Sequence, residues 1–152
     1  MPTRTDEGEA VTQLILETFR LNGAMLETGN RITEPYGLTS ARWQVMGAVQ
    51  LASQPLTVAQ IARRMGLARQ GVRRIVKDLV DLDMISTESN LDHKRSPLLS
   101  LTDKGNEVLA SIDRAQAEWV NQLAEGLSKR QINAALKILQ TVRERSGASD
   151  DA

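Results

Sequence analysis

Six cations and no acid lie between Arg63 and Lys77: Arg63, Arg64, Arg69, Arg73, Arg74 and Lys77. The whole chain carries 19 Lys+Arg and 19 Asp+Glu, so thirteen cations face nineteen acids outside that stretch. Positive charge gathered so locally suggests a surface built to meet something anionic, the alternative being a solvated helix face, which is the commoner reading of a short charge run. Other chemistry finds few residues to carry it. Cysteine is absent, which excludes disulfides, thiolate metal sites and thiol redox sensing. His93 is the single histidine. Asp92 beside it does not complete a metal site, and neither a Ser-His-Asp set nor a glycine-rich phosphate loop can be assembled. The expectation is a binding protein rather than an enzyme, with no catalytic residue, metal or cofactor.

The cations need elements to hold them. Val72, Ile75, Val76 and Leu79 recur at helical spacing and define a buried side. At about 100° per residue, Gln70, Arg73, Arg74 and Lys77 then project from the opposite side. Just before them, "PLTVAQI" places Thr57 and Gln60 as a capping box, with Leu56 and Ile61 as its hydrophobic staple. A short helix over about 58–65 follows, and Gly66 is placed to end it in the left-handed conformation. Arg63 and Arg64 close that helix, where a cation also complements the helix dipole. After Asp83, partial alternation over Ile85–Ser89 and Leu98–Leu101 predicts two strands around the polar tip "NLDHKRSP". Pro97 cannot donate to a ladder and belongs at the start or edge of the return strand.

The flanks read as helices. Val11, Leu14, Ile15, Phe19, Met25 and Leu26 approximate helical periodicity over about 9–32, with Gly23 and Gly29 as weak points. A Pro-Tyr-Gly break leads to a second helix, capped by Thr39, with Trp43, Met46 and Val49 facing inward. Thr102 starts a long helix through Val108, Leu109, Ile112, Trp119 and Leu123. A second capping box, Ser128 with Gln131, opens a final helix that should bury Ile132, Leu136 and Leu139. Residues 1–8 and the tail "SGASDDA" are expected to be disordered. No apolar run approaches the roughly 20 residues that span a bilayer, and "MPTRTDEGEA" lacks the apolar segment of a secretory signal. The expected location is the cytoplasm, with no membrane partner.

The predicted fold is mainly α with a small β-hairpin. A short capped helix, a glycine turn and a basic helix make a helix-turn-helix, sized for a major groove about 12 Å wide. The hairpin is a wing whose Lys94 and Arg95 reach backbone or minor groove. Double-stranded DNA is therefore the expected partner. Arg73 and Gln70 are candidates for base edges, with a phosphate contact the equal alternative for each. Arg69, Arg74 and Lys77 are assigned to phosphate or base edge without choosing between them. Arg95 is the minor-groove candidate and Lys94 its backbone neighbour. The tip is expected to stand too far from the basic helix to serve the same groove. A winged-helix module that docks on a protein, without specific DNA binding, is the alternative; DNA binding should be much the more salt-sensitive of the two.

"LTSARWQVMGAV", "LTVAQIARRMGLARQGVRRIVKDLVDLDMI" and "DHKRSPLLSLTDKG" resemble consecutive blocks of the MarR (multiple antibiotic resistance regulator) family over about residues 9–147. The resemblance implies one domain over 1–152, with helices 9–33 and 103–147 forming an obligate homodimer around a winged helix-turn-helix lobe at 38–102. It also implies a repressor that reads an inverted-repeat operator, and often a small-molecule effector pocket. Phe19, Tyr36 and Trp43 are the candidate effector residues, although core packing is the plainer reading of Trp43, as of Trp119. Ala68 stands where the family usually has a capping Ser or Thr, Gly71 where Thr is common, and Asp83 where Gly is usual. The wing Asp92 precedes Arg95 by three residues instead of two.

Overall fold

The computed structural model describes residues 3–147. It holds two compact units, one ending at Ser40 and one beginning at Ala41.

The first unit is built on α1 (Asp6–Thr33). The expected disorder of residues 1–8 is corrected over 6–8, because the helix begins at Asp6, while residues 1–2 lie outside the described residues. Thr5 caps it by accepting from the Gly8 N–H at 3.1 Å, and Asp6, Glu7 and Glu9 complement the dipole of the first turn. Of the tail, Ser146 and Gly147 form a turn after the last helix; residues 148–152 lie outside the described residues. Helix α1 runs unbroken through Gly23 and Gly29. Gly29 has a packing reason, since a Cβ there would press on the Ser40 hydroxyl. Asn30 Oδ1 accepts from the Ser40 N–H at 2.8 Å, and Thr33 Oγ1 donates to the Gly29 and Leu38 carbonyls. A 3-10 turn over Glu34–Tyr36 then ends at left-handed Gly37.

The second unit takes in α2 (Ser40–Gln50) from Ala41 onward, followed by α3 (Val58–Met65) and α4 (Arg69–Asp81). Strands β1 (Ile85–Glu88) and β2 (Leu98–Leu101), α5 (Asp103–Leu123) and α6 (Lys129–Arg145) complete it. This is the predicted mainly α fold with its hairpin. The capping box at Thr57 and Gln60 is made in full, and Gly66 ends α3 at φ 64°. Val45, Met46, Ile61, Val72, Leu79, Leu99, Leu109 and Ile112 form a dry centre to which four helices and the hairpin contribute. The hairpin pairs Ile85 with Leu101 and Glu88 with Leu98. Leu56 adds a rung that the sequence pattern does not predict, exchanging both backbone hydrogen bonds with Leu99.

One corner ties the end of α4 to the start of α5. Asp83 adopts the left-handed conformation at φ 57°, and the Met84 N–H returns to the Leu79 carbonyl at 2.9 Å. That is the closing bond of a Schellman turn, with Asp in the usual glycine position. Thr102 Oγ1 donates to the Asp83 carbonyl at 2.7 Å, and Lys104 Nζ donates to the Leu82 carbonyl at 2.8 Å. A cation thus sits on the negative end of α4.

Helix α6 departs from expectation. None of its residues is buried, and Leu136 is 50% exposed. Ile132 and Leu139, expected inside, are exposed too, as is Leu123 of α5. Among the described residues, nothing buries this stripe. Trp119 and Trp43 are half-buried, not fully core.

Candidate nucleic-acid interface

Val72, Val76 and Leu79 are buried on one side of α4 and Ile75 is half-buried, which turns Arg69, Gln70, Arg73, Arg74 and Lys77 to solvent. Ala68 precedes the helix without a side-chain cap, so the first-turn N–H groups have no side-chain acceptor there. Lys94 and Arg95 are exposed on the wing. Among the described residues, none of these six cations pairs with a carboxylate; the ion pairs include Arg4–Glu9, Arg20–Glu17 and Arg42–Asp78. Cations left unpaired on one face add their fields instead of cancelling against acids.

A cleft of about 480 Å³ opens between α4 and the wing. Arg69, Arg73 and Lys77 line it from the helix and Arg95 from the wing, over a floor that includes Val76 and Leu99. Arg95 therefore lies nearer the basic helix than the sequence pattern suggested, bordering the same cleft. Pairing of β2 with both β1 and Leu56 folds the returning strand back toward α4. Lys94 lines a separate cleft on the hairpin, with Thr87 and Leu91. Gln70 and Arg74 line neither. Arg63, also exposed, borders a polar cleft between α3 and the wing that includes His93.

Sequence reasoning missed Asn90. It is almost fully buried, and its Nδ2 donates to the Ser96 carbonyl at 2.9 Å. Its Oδ1 accepts from the N–H groups of Asp92 at 3.1 Å and His93 at 3.3 Å. One amide thus shapes the loop that carries Lys94 and Arg95, where no Asp92–Arg95 ion pair forms. The signal was available, because Asn in a tip favours this kind of side-chain turn. Asn90→Ala should cost about 1–2 kcal/mol and speed amide exchange in residues 91–96. Unchanged exchange there would show that the strands alone hold the tip.

The MarR family model matches residues 36–96, from the turn before α2 to the end of the wing tip. Over 126 residues the chain is 36% identical to an uncharacterized protein of Mycobacterium tuberculosis, covering 83% of this chain and 87% of that protein. The chain belongs to the MarR family. MarR regulators are DNA-binding transcription factors and not enzymes, which agrees with the uncancelled basic face. Two solved MarR structures share the fold. One is Staphylococcus aureus MarR in complex with salicylate and kanamycin: TM-score 0.75, 21% identity, 90% of this chain and 92% of that one. The other is a mutant MarR of E. coli complexed with operator DNA: TM-score 0.77, 16% identity, 91% of this chain and 99% of that one. No helix among the described residues is long and apolar enough to cross a membrane.

The effector candidates fall on different elements of this MarR fold. Phe19 is 69% exposed on α1, Tyr36 is half-buried in the 3-10 turn, and Trp43 is half-buried on α2. None of the three is consumed by the buried core.

Proposed function

We propose that this MarR protein is a cytoplasmic, dimeric repressor of an inverted-repeat operator. Each subunit lays α4 in a major groove, the two contacts about 34–36 Å apart, and sets Arg95 in the neighbouring minor groove. Arg73 and Gln70 are the candidates for base edges, with phosphate the alternative for each; Arg69, Arg74 and Lys77 hold phosphate or base edge, and Lys94 the backbone. The observation that carries this reading is the cleft where unpaired Arg69, Arg73, Lys77 and Arg95 meet. The uncovered apolar residues of α1, α5 and α6 support the dimer, with a second copy as their cover. A small-molecule effector, for which Phe19, Tyr36 and Trp43 are the candidate residues, would relieve repression by favouring a different spacing of the two recognition helices. It must bind the two arrangements with different affinity, since an indifferent ligand shifts nothing. The salicylate-bound relative supports this part.

The test is binding to the best duplex selected from a random pool, measured across salt. Arg73→Ala should cost about 1–3 kcal/mol and relax preference at one base pair per half-site. Lys77→Ala should weaken all sequences alike and lower the salt slope by about one per site. An Arg73→Ala protein with unchanged affinity and preference would misplace the reading face. Salt-independent binding of the wild type would favour docking on a protein.

A further inference from the structure

Asp78 is an acid in the middle of the most basic helix of the chain. Its Oδ2 accepts from Arg42 Nη2 at 3.0 Å, with the two side chains 40% and 28% exposed. The pair joins α4 to α2, 36 positions earlier in the chain. Helix α2 is a fixed support, because Val45, Met46 and Val49 are buried. Helix α4 meets the same core through Val72, Val76 and Leu79, and the corner with α5 holds its C-terminal end. The Arg42–Asp78 pair adds a directional contact on the body of the helix. A rotation of about 20° would carry a side chain lying 5–6 Å from the axis through about 2 Å. Hydrogen bonds to base edges tolerate only a few tenths of an ångström around 2.7–3.2 Å, whereas phosphate attraction is long-ranged.

We propose that Arg42 and Asp78 are a positioning pair that fixes the rotation of α4, and so sets sequence discrimination without adding to nonspecific DNA affinity. The proposal rests on the DNA-binding reading above. Elementary electrostatics predicts the opposite sign for Asp78, because removing an acid from a DNA-facing helix should strengthen binding to any sequence. That opposition makes the test decisive. Affinity would be measured for the selected duplex and for a scrambled duplex of equal length, each across salt, with wild type, Asp78→Ala, Arg42→Gln and the double variant. Alanine is the better helix former, so Asp78→Ala should fold, and thermal melts would check both single variants. If Arg42→Gln unfolds, Asp78→Ala decides alone.

Each single variant should bind the selected duplex about two- to fivefold more weakly, in line with a partly exposed ion pair. Binding to the scrambled duplex should stay equal or rise, with the salt slope unchanged. The double variant should be no worse than either single one. Stronger binding of Asp78→Ala to both duplexes would reduce Asp78 to a repulsive charge and overturn the proposal. So would an equal loss on both duplexes with a salt slope lowered by Arg42→Gln, which would make Arg42 a phosphate ligand. A wild type that binds neither duplex in a salt-dependent way would overturn the DNA reading itself, before any variant is considered.

Discussion

Leu136→Asp should convert the protein to monomers and weaken operator binding by about 10²–10⁴-fold. The reason lies in α6, whose 17 residues include none that is buried. Isolated helices of about that length are marginal in water, and most helical stability in proteins comes from packing an apolar face. Here Leu127, Ile132, Leu136 and Leu139 remain exposed, continuing Leu123 of α5. A second copy of the chain offers the same stripe and can cover it symmetrically. A carboxylate at position 136 would then have to enter an apolar interface unpaired, which is strongly unfavourable. Without the dimer, each basic face would meet one half-site alone and lose the effective concentration that linkage provides, which is the source of the expected factor. Sedimentation at micromolar concentration and titration of the selected duplex would measure both effects. A Leu136→Asp protein that still sediments as a dimer would remove α6 from the interface.

Gly105→Ala should destabilise the protein by about 3 kcal/mol, lowering the melting temperature by about 6–12 °C. The sign is informative, because alanine in place of an unconstrained helical glycine stabilises by up to about 1 kcal/mol. Gly23 and Gly71 are such positions, with nothing near the site of an added Cβ. At Gly105 the added Cβ would run into the Met84 carbonyl, which is backbone and cannot swing aside. That carbonyl already accepts from the Thr102 N–H at 3.1 Å. The corner joining α4 to α5 would have to open, which would loosen the Lys104 and Thr102 bonds on the recognition helix. Thermal melts of Gly105→Ala beside Gly23→Ala would check this. Stabilisation of both would mean that the corner yields freely.

What the sequence determined by itself was whatever is settled within one or two turns of chain. The bounds of α3 were legible because the Thr57–Gln60 box and left-handed Gly66 act over four residues. The basic face of α4 was legible because helical periodicity alone separates Val72, Val76 and Leu79 from Arg73, Arg74 and Lys77. Even the unusual left-handed Asp83 could be anticipated, since few side chains other than Asp and Asn tolerate that region. The tertiary structure decided what depends on which surfaces meet. No local pattern could pair Leu56 with Leu99, bring Arg42 to Asp78, or fold Arg95 back to the cleft of Arg69, Arg73 and Lys77. The stripe on α6 shows the boundary most clearly. Its spacing identified an apolar face, but an apolar face specifies only that water should leave it, because hydrophobic attraction has no direction and names no partner.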